Sequence, residues 1–463
     1  MEGIDMTSSK FDGADFSKSS MVGAKLDSVK VKDTSFVSAN MKNVHAHKAD
    51  FANAKFEKAK MEGIDMTSSK FDGADFSNSS MVGAKLDSVK VKDTSFVSAN
   101  MQNVHAHKAN FDQVNFQQAK LVNADFTSAR LKATTMRKTD WTGSKLDGVQ
   151  MEGSFFVSAT MKNVHAHKAK FRGVEFLQST MEGADFKSTK FTETKVQESK
   201  MIGAKLDNVA ATSTSFLNCD MKNVHAHGAS FKDVNFQQST LDKADFTSST
   251  MSASCKYDGA SMIGTSLSKV KAQGIDVRGL KLSNVRASEA DFSRGHFEGC
   301  TMKGCDLSKA NVKEACFQGA NMSNAKAQGA QFDKAGLQDV QLCKADLRST
   351  TLHEAQLLGA TLESAQMGGT EATKATFRDA SFVNASVQSA VFEQCDFSDV
   401  DAQGADLTKT RLCRSNVKSA DFRGATVSGT DFRQVTNFRS IGVDNLAGAI
   451  LQRLNLTKMD LSG

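Results

Sequence analysis

The residues with the clearest potential for chemistry are histidines that occur in pairs. The word Asn-Val-His-Ala-His recurs at 43–47, 103–107, 163–167 and 223–227, which is once every 60 residues. Side chains two positions apart lie on the same side of a strand. Each pair therefore offers two imidazoles to one surface, where they could contact a partner or, with a nearby Asp, ligate a metal ion.

The histidine pairs belong to an ordered set of charged residues. Positions 20 apart read Asp, Lys, His, in that order, from Asp5 to Asp245. Two residues further along each unit, a second column repeats Asp27 and His47 with the same 60-residue period. Both columns are predicted to point outwards, with each histidine pair between carboxylates of neighbouring coils. The candidate interaction face consists of Asp5, Lys25, His45, His47, Asp65, Lys85, His105, His107, Asp125, Lys145, His165, His167, Asp185, Lys205, His225 and His227.

Three interpretations of this face stay open. It could be a solvated surface on which opposite charges alternate to avoid like-charge stacking. It could dock a protein partner that also repeats, such as a filament or a lattice. It could bind metal through His-x-His and a nearby Asp, but an exposed surface without an obvious outer shell of ligands makes a metal site the weakest prediction, and we predict no metal and no cofactor. Residues 1–50 and 61–110 differ at only three positions, so the period could also record recent duplication alone.

The elements that position these residues follow a five-residue period. An apolar residue recurs at every fifth position from Met1, and the residue two places before it is nearly always small. A period of five fits neither a helix nor an ordinary strand, and a short repeat sustained over hundreds of residues indicates a solenoid. Columns of Met and Phe 20 residues apart are predicted to form its core.

The local words Ala-Asp-Phe-Ser (14–17 and 74–77), Ala-Asp-Leu-Arg (345–348) and Ala-Asp-Leu-Thr (405–408) resemble the pentapeptide-repeat family over roughly residues 1–432. The resemblance implies an all-β fold, a right-handed, four-sided parallel β-helix with four pentapeptides, or about 20 residues, per coil. This chain departs from the family in its many Lys residues at positions where the family favours Asp or Asn, and in its many central Met residues.

The period also predicts how the chain is divided. Residues 1–251 form the regular part with the 60-residue super-repeat, and 252–256 contain a one-residue register shift. Residues 257–432 continue the β-helix less regularly, and 433–463 form a C-terminal cap with a short amphipathic helix over Ser440–Leu454. Roughly 22 coils spaced by about 4.8 Å would give a rod about 105 Å long.

Composition excludes several classes of function. No nucleophile elbow or phosphate-binding loop is present, so we predict that the protein is not an enzyme. The single Trp, the single Tyr and the inward Phe residues leave no stacking platform for nucleic acid. No long apolar run predicts a membrane span or a signal peptide. The eight Cys residues are interpreted as reduced thiols of a cytoplasmic protein.

These features together predict a non-enzymatic rod that scaffolds, spaces or staples protein partners through its 1–250 face. An uncapped N-terminal end or the C-terminal cap could also join copies of the chain. The alternative is a DNA mimic that binds a topoisomerase such as gyrase, as the family resemblance implies for some members. A mimic requires acidic surfaces, whereas this chain has a net charge of +6.

Overall fold

The computed structural model of the protein describes residues 1–438, 442–444, 446–452 and 454. The chain forms two compact units, Met1–Thr240 and Leu241–Gly463. Each unit is a parallel β-solenoid built from the same five-residue turn, as the sequence predicted. The boundaries proposed from the sequence at 251, 256 and 432 stay predictions.

Many of the five-residue turns are closed by one backbone hydrogen bond. The carbonyl oxygen of the central apolar residue accepts the N–H three residues later, as in Phe11 O to Ala14 N at 3.1 Å. The third residue of nearly all the turns has a positive φ, as a type II turn requires at this position. Gly13 adopts this conformation freely with φ +73°, whereas Ser8 and Lys18 adopt it at φ +61° and +59°. A positive φ costs a non-glycine residue about 1–2 kcal/mol of conformational energy, which the stacking of coils must offset.

Successive coils pair in parallel with a fixed register. Asp5 bridges Lys25, and Lys25 bridges His45, so the coil length of 20 residues is confirmed. The ladder bonds alternate, with Met6 N donating to Lys25 O at 2.8 Å and Lys25 N donating to Ile4 O at 2.9 Å. At the start of the second unit the offset is 21 residues, from Asp245 to Ser266, and it returns to 20 from Ser261 to Lys281. The extra residue between Met251 and Tyr257 accounts for this step. Near the end of the described chain the offset changes again, to 21 from Asp421 to Gly442 and to 19 from Asp431 to Ile450.

Where pairing extends beyond a single bridge it forms strands of two or three residues. In the first unit these are β1 (Lys90–Lys92), β2 (Asn110–Asp112), β3 (Arg130–Lys132), β4 (Gln150–Glu152), β5 (Phe155–Val157), β6 (Lys170–Arg172), β7 (Glu175–Leu177), β8 (Lys190–Thr192), β9 (Lys195–Gln197), β10 (Ala210–Thr212) and β11 (Ser230–Lys232). In the second unit they are β12 (Thr250–Met251), β13 (Glu371–Thr373) and β14 (Val391–Glu393).

The strands lie on separate sides of the solenoid. In the first unit one parallel sheet has the order β1-β2-β3-β4-β6-β8-β10-β11, and a second has the order β5-β7-β9. In the second unit β13 pairs with β14. Each three-residue strand buries its central residue and leaves its neighbours exposed or partly exposed, which gives the alternation expected of a one-sided sheet.

The core consists of stacked columns of like residues. Phe56 lies between Phe36 and Phe76, with ring centroids 5.0 and 4.6 Å away and planes nearly parallel. These separations match the spacing of paired strands, about 4.8 Å, so the ring stacking follows directly from the coil repeat. The Met column is buried from Met21 onwards. Trp141 replaces a Met in it, with its indole Nε1 donating to Thr139 Oγ1 at 3.1 Å.

The small inward position accepts hydroxyl and thiol groups because each finds a backbone partner. Thr94 Oγ1 donates to Phe71 O at 2.7 Å, and Thr410 Oγ1 donates to Val387 O at 2.7 Å. Cys219 Sγ makes the equivalent contact with Val196 O at 3.2 Å. A buried polar group with a hydrogen-bond partner avoids the penalty of desolvation, so these substitutions for Ala keep the core intact.

All eight cysteines are free thiols. Burial raises the pKa of Cys219, Cys305 and Cys395 to about 12 and that of Cys300 to about 11. These thiols therefore stay protonated at neutral pH and are poor nucleophiles and poor metal ligands.

The predicted C-terminal helix is wrong for the part of Ser440–Leu454 that the structure describes. Gly442 bridges Asp421, and Ile450 bridges Asp431, so this segment continues the coil pairing. Ala449 N donates to Leu446 O at 3.0 Å, and Gly448 has φ +76°, as in the turn from Phe11 to Ala14 with Gly13 at φ +73°. Residues 439–441, 445, 453 and 455–463, which belong to the predicted helix and cap, lie outside the described residues. Over the described part of the chain, no helix has the length and apolar character needed to cross a bilayer.

Candidate interaction face

All sixteen residues of the candidate interaction face lie in the first unit, on consecutive coils of one side of the solenoid. The bridge position of the turn carries the Asp, Lys and first His of each period, as in the series Asp5, Lys25, His45 and Asp65. The second His lies two residues further on, beyond a buried Ala. The sequence therefore predicted correctly that both histidines of each pair are directed away from the core.

The second histidine of each pair lies between two carboxylates on adjacent coils. His47 Nδ1 is 3.4 Å from Asp27 Oδ1 on the coil before it. His47 Nε2 is 3.1 Å from Asp65 Oδ1 on the coil after it, and Lys85 Nζ approaches the other oxygen of Asp65 to 3.3 Å. The Asp27 carboxylate also accepts the backbone N–H of His47 at 2.8 Å, which fixes the imidazole relative to the ladder.

The same arrangement recurs in the following copies. His107 lies 3.3 Å from Asp87 and 3.1 Å from Asp125, and Lys145 Nζ is 3.9 Å from Asp125. In the third copy the corresponding contacts are His167 to Asp147 at 3.8 Å, His167 to Asp185 at 3.1 Å and Lys205 to Asp185 at 3.5 Å. In the fourth, His227 Nδ1 is 3.7 Å from Asp207.

The carboxylate between the second His and the Lys is recessed. The Asp65 side chain is only 13% exposed, and its Oδ1 accepts both the N–H and the hydroxyl of Thr67, at 3.2 and 2.7 Å. Burial of Asp65 raises the pKa of its carboxyl, but the hydrogen bonds from Thr67, His47 and Lys85 outweigh burial and lower the pKa from 3.8 to about 2. The pKa values of Asp125 and Asp185 are lowered by the same balance. These carboxylates are therefore ionised at any physiological pH.

The lysine and the first histidine of each period project from this recessed layer. The Lys85 side chain is 56% exposed, and Lys25, Lys145 and Lys205 are exposed to a similar degree. His45, His105, His165 and His225 are exposed as well. The outermost groups of the face are therefore ammonium and imidazole groups, although the sequence alternates acidic and basic residues.

Some residues that hold the face in place were not among the sixteen predicted from the sequence. Asp27 and its equivalents hold the second histidine, and Thr67 and Thr127 hold the recessed carboxylates. Their signal was the second column, whose Thr, Asp, His order has the same 60-residue period. Lys187 replaces the Thr in the third copy.

A small apolar cavity lies inside the second unit. It is lined by Phe382, Val387 and Phe392 and has a volume of about 10 Å³. That is close to the minimum for one water molecule, so this cavity is too small for a larger ligand.

Comparison with known families agrees with this architecture. A family model described as pentapeptide repeats matches eight segments, 49–87, 92–127, 124–163, 169–208, 288–324, 328–363, 355–394 and 395–434. Comparison with curated protein sequences gives no significant match.

Several solved structures of the same kind are similar to this chain. HetL, a pentapeptide repeat protein involved in heterocyst differentiation regulation in the cyanobacterium Nostoc sp., is 21% identical over 48% of this chain and 89% of its own, with a TM-score of 0.30. QnrB1, a plasmid-mediated fluoroquinolone resistance protein, is 16% identical over 39% of this chain and 83% of its own, with a TM-score of 0.24. A pentapeptide repeat protein of the Arabidopsis thaliana thylakoid lumen is 25% identical over 23% of this chain and 64% of its own, with a TM-score of 0.11.

Proposed function

The chain belongs to the pentapeptide repeat family, and on that premise we propose that it is a non-enzymatic interaction protein whose candidate interaction face binds an acidic protein partner. The observation that carries this proposal is the repeated geometry of the face. The same carboxylate, imidazole, carboxylate and ammonium groups recur in three successive copies with closely similar distances. A scaffold that holds charges in place in this way is preorganised for binding.

The groups that project furthest from the face indicate which charge a partner would carry. Recessed carboxylates are already engaged by Thr, His and Lys groups of the same chain, so they offer little to a partner. The projecting lysines have most of their surface in solvent and can form additional charge-assisted contacts. Acidic side chains on the partner would therefore meet the outermost groups first.

The spacing of the face suggests that the partner also repeats. Copies 60 residues apart are three coils apart, which corresponds to about 14 Å along the solenoid axis from three strand spacings. A filament or lattice with acidic groups at a similar interval could engage several copies at once. Several weak contacts on one rigid surface add through effective concentration, so each contact can be modest.

The DNA-mimic alternative lacks a supporting observation in this unit. A topoisomerase that binds DNA needs a surface of projecting negative charge. Here the acidic residues Asp65, Asp125 and Asp185 are recessed, while Lys85, Lys145 and Lys205 project. Binding to purified gyrase is nevertheless a simple second arm of the experiment below.

The proposal is tested with two matched variants of the full chain. The face variant carries Lys→Gln at 25, 85, 145 and 205. The control variant carries Lys→Gln at 10, 30, 70 and 90, which lie in another bridge column of the first unit, and it also removes four charges. A partner is isolated with the wild-type protein, identified by mass spectrometry, purified, and its affinity measured by biolayer interferometry.

We expect the face variant to bind at least tenfold more weakly than the wild type, because each projecting charge contributes about 0.5 kcal/mol or more. The control variant should stay within about threefold of the wild type. Equal losses in the two variants would mean that only net charge matters and would overturn the assignment of this face. Tight binding of gyrase that both variants retain would instead favour the DNA-mimic function.

A further inference from the structure

One copy of the face brings three potential metal ligands together. Among the residues that the structure describes, His165, His167 and Asp185 are the one trio of His, Cys, Asp or Glu whose candidate ligand atoms all lie within 4.8 Å of one another. The two imidazoles flank Ala166, with ring centroids 6.1 Å apart and planes at 87°. Asp185 lies on the next coil, with Oδ1 3.1 Å from His167 Nε2.

The three groups are the ligands that zinc commonly takes in proteins. Zinc binds His nitrogen and carboxylate oxygen at about 2.0–2.2 Å, and three protein ligands with a water in the fourth position form a tetrahedral site. Ligand atoms in such a site lie roughly 3.4 Å apart, as tetrahedral geometry at those bond lengths requires. The His167 to Asp185 distance already meets this, and small side-chain rotations of the exposed His165 would complete the site.

A local difference explains why the third copy is suited to metal binding. In the first and second copies, the hydroxyls of Thr67 and Thr127 donate to the recessed carboxylates at 2.7 and 2.6 Å. In the third copy this position is Lys187, which gives Asp185 Oδ1 only its backbone N–H, at 3.1 Å. Asp185 Oδ1 therefore keeps a lone pair that, in the first and second copies, accepts the Thr hydroxyl.

The second histidine of this copy directs one ring nitrogen towards Asp185. His167 Nε2 is shielded from solvent and lies 3.1 Å from Asp185 Oδ1. Its other ring nitrogen, Nδ1, lies 3.8 Å from the Asp147 carboxylate. A carboxylate behind a ligating imidazole orients the ring and increases its basicity, so Asp147 would serve as an outer-shell residue.

Charge near the site leaves one carboxylate oxygen available. Lys205 Nζ lies 3.5 Å from Asp185 Oδ2, which leaves Oδ1 to face the two imidazoles.

We infer that His165, His167 and Asp185 bind one divalent cation of the zinc type, with water as a fourth ligand. This site is separate from the proposed protein-binding role, since it uses one copy of the face and does not depend on a partner.

The inference is tested by titrating tag-free, EDTA-treated full-length protein with zinc chloride in an isothermal calorimeter. The variants are His165→Ala and its equivalent in the second copy, His105→Ala, both at exposed positions of the same column. A third variant, Lys187→Thr, restores the hydroxyl that occupies the carboxylate in the other copies. Circular dichroism checks that each variant keeps the wild-type fold.

We expect about one equivalent of zinc to bind the wild type, at least tenfold weaker binding for His165→Ala, weaker binding for Lys187→Thr, and no change for His105→Ala. Absence of a stoichiometric site in the wild type would overturn the inference. Equal effects of His165→Ala and His105→Ala would also overturn it, because they would show diffuse binding by surface histidines.

Discussion

At the scale of single residues, the depth of each side chain determines which charges the candidate interaction face presents to solvent. Asp65 and Lys85 are neighbours in one column, but the carboxylate is recessed and the ammonium group is mostly in solvent. A short Asp side chain ends close to the backbone, where Thr67 and His47 reach it, whereas a Lys side chain extends past this layer. The face therefore presents basic groups outward from a sequence in which acidic and basic residues alternate.

Asp65→Asn should destabilise the protein at neutral pH. The pKa of Asp65 is lowered from 3.8 in the unfolded chain to about 2 in the folded protein, so its ionised form stabilises the fold. This contribution is complete above about pH 4 and disappears as the pH falls through about 2, with a size of roughly 2 kcal/mol from a shift of this kind. The variant should therefore be less stable than the wild type at pH 7, and the difference should vanish near pH 2.

The measurement is urea unfolding followed by the fluorescence of Trp141, the single Trp of the chain, which is buried in the same unit. Asp5→Asn is the matched control, since Asp5 occupies the same column and accepts the N–H of Thr7 but has an exposed side chain. The control should change stability far less. A difference between Asp65→Asn and the wild type that persists unchanged at pH 2 would contradict the role assigned to this carboxylate.

The sequence predicted where the columns of the candidate interaction face lie, but not how deeply each side chain is buried. The Asp, Lys, His order placed the columns correctly, because a parallel solenoid stacks residues 20 apart. It did not reveal that the hydroxyls of Thr67 and Thr127 donate to the recessed carboxylates. Nor did it reveal that Asp185 lacks this bond because Lys187 stands at the Thr position. Those effects depend on side-chain geometry between coils, which a one-dimensional pattern does not contain.

At the scale of the element, the five-residue turn explains both the successful and the failed predictions. The period predicted the fold because each turn buries one large and one small residue. The C-terminal helix was predicted from Leu446, Ile450, Leu451 and Leu454, whose spacing also fits a helix. Leu446 and Leu451 are in fact five residues apart and start successive turns, with Gly448 at the positive φ that a turn requires. Short apolar patterns of this length do not distinguish the two periods.

Strand β5 offers a direct test of the inward and outward positions. Phe155 is 43% exposed, whereas Phe156 is fully buried and stacks on Phe176 with ring centroids 4.7 Å apart. We expect Phe156→Ala to cost about 3–5 kcal/mol of unfolding free energy, as for other buried aromatic residues. Phe155→Ala should stay within about 0.5 kcal/mol.

Both variants are measured by denaturant unfolding, again with Trp141 as the reporter, because its ring centroid lies 6.2 Å from that of Phe156. Two adjacent Phe residues on one strand differ only in the side of the sheet that they occupy. Similar losses for the two substitutions would contradict the assignment of the core.

At the scale of the whole molecule, the proposed binding depends on the number of copies in the first unit. Each copy contributes its own projecting groups, and a rigid solenoid keeps the copies in register with one another. Removal of residues 61–120 deletes one complete 60-residue period and joins residue 60 to Leu121, which occupies the same column as Met61. The deletion therefore shortens the face without disturbing the stacking of the remaining coils.

The most direct test of the account is the affinity of the isolated partner for this deletion variant, measured beside a control that lacks residues 281–340 of the second unit. Both deletions remove 60 residues in register, but only the first removes a copy of the face. If the copies act together, the first deletion should weaken binding at least about fivefold while the control binds like the wild type. Equal affinity of the two deletion variants would contradict the claim that the repeated face of the first unit is the binding surface.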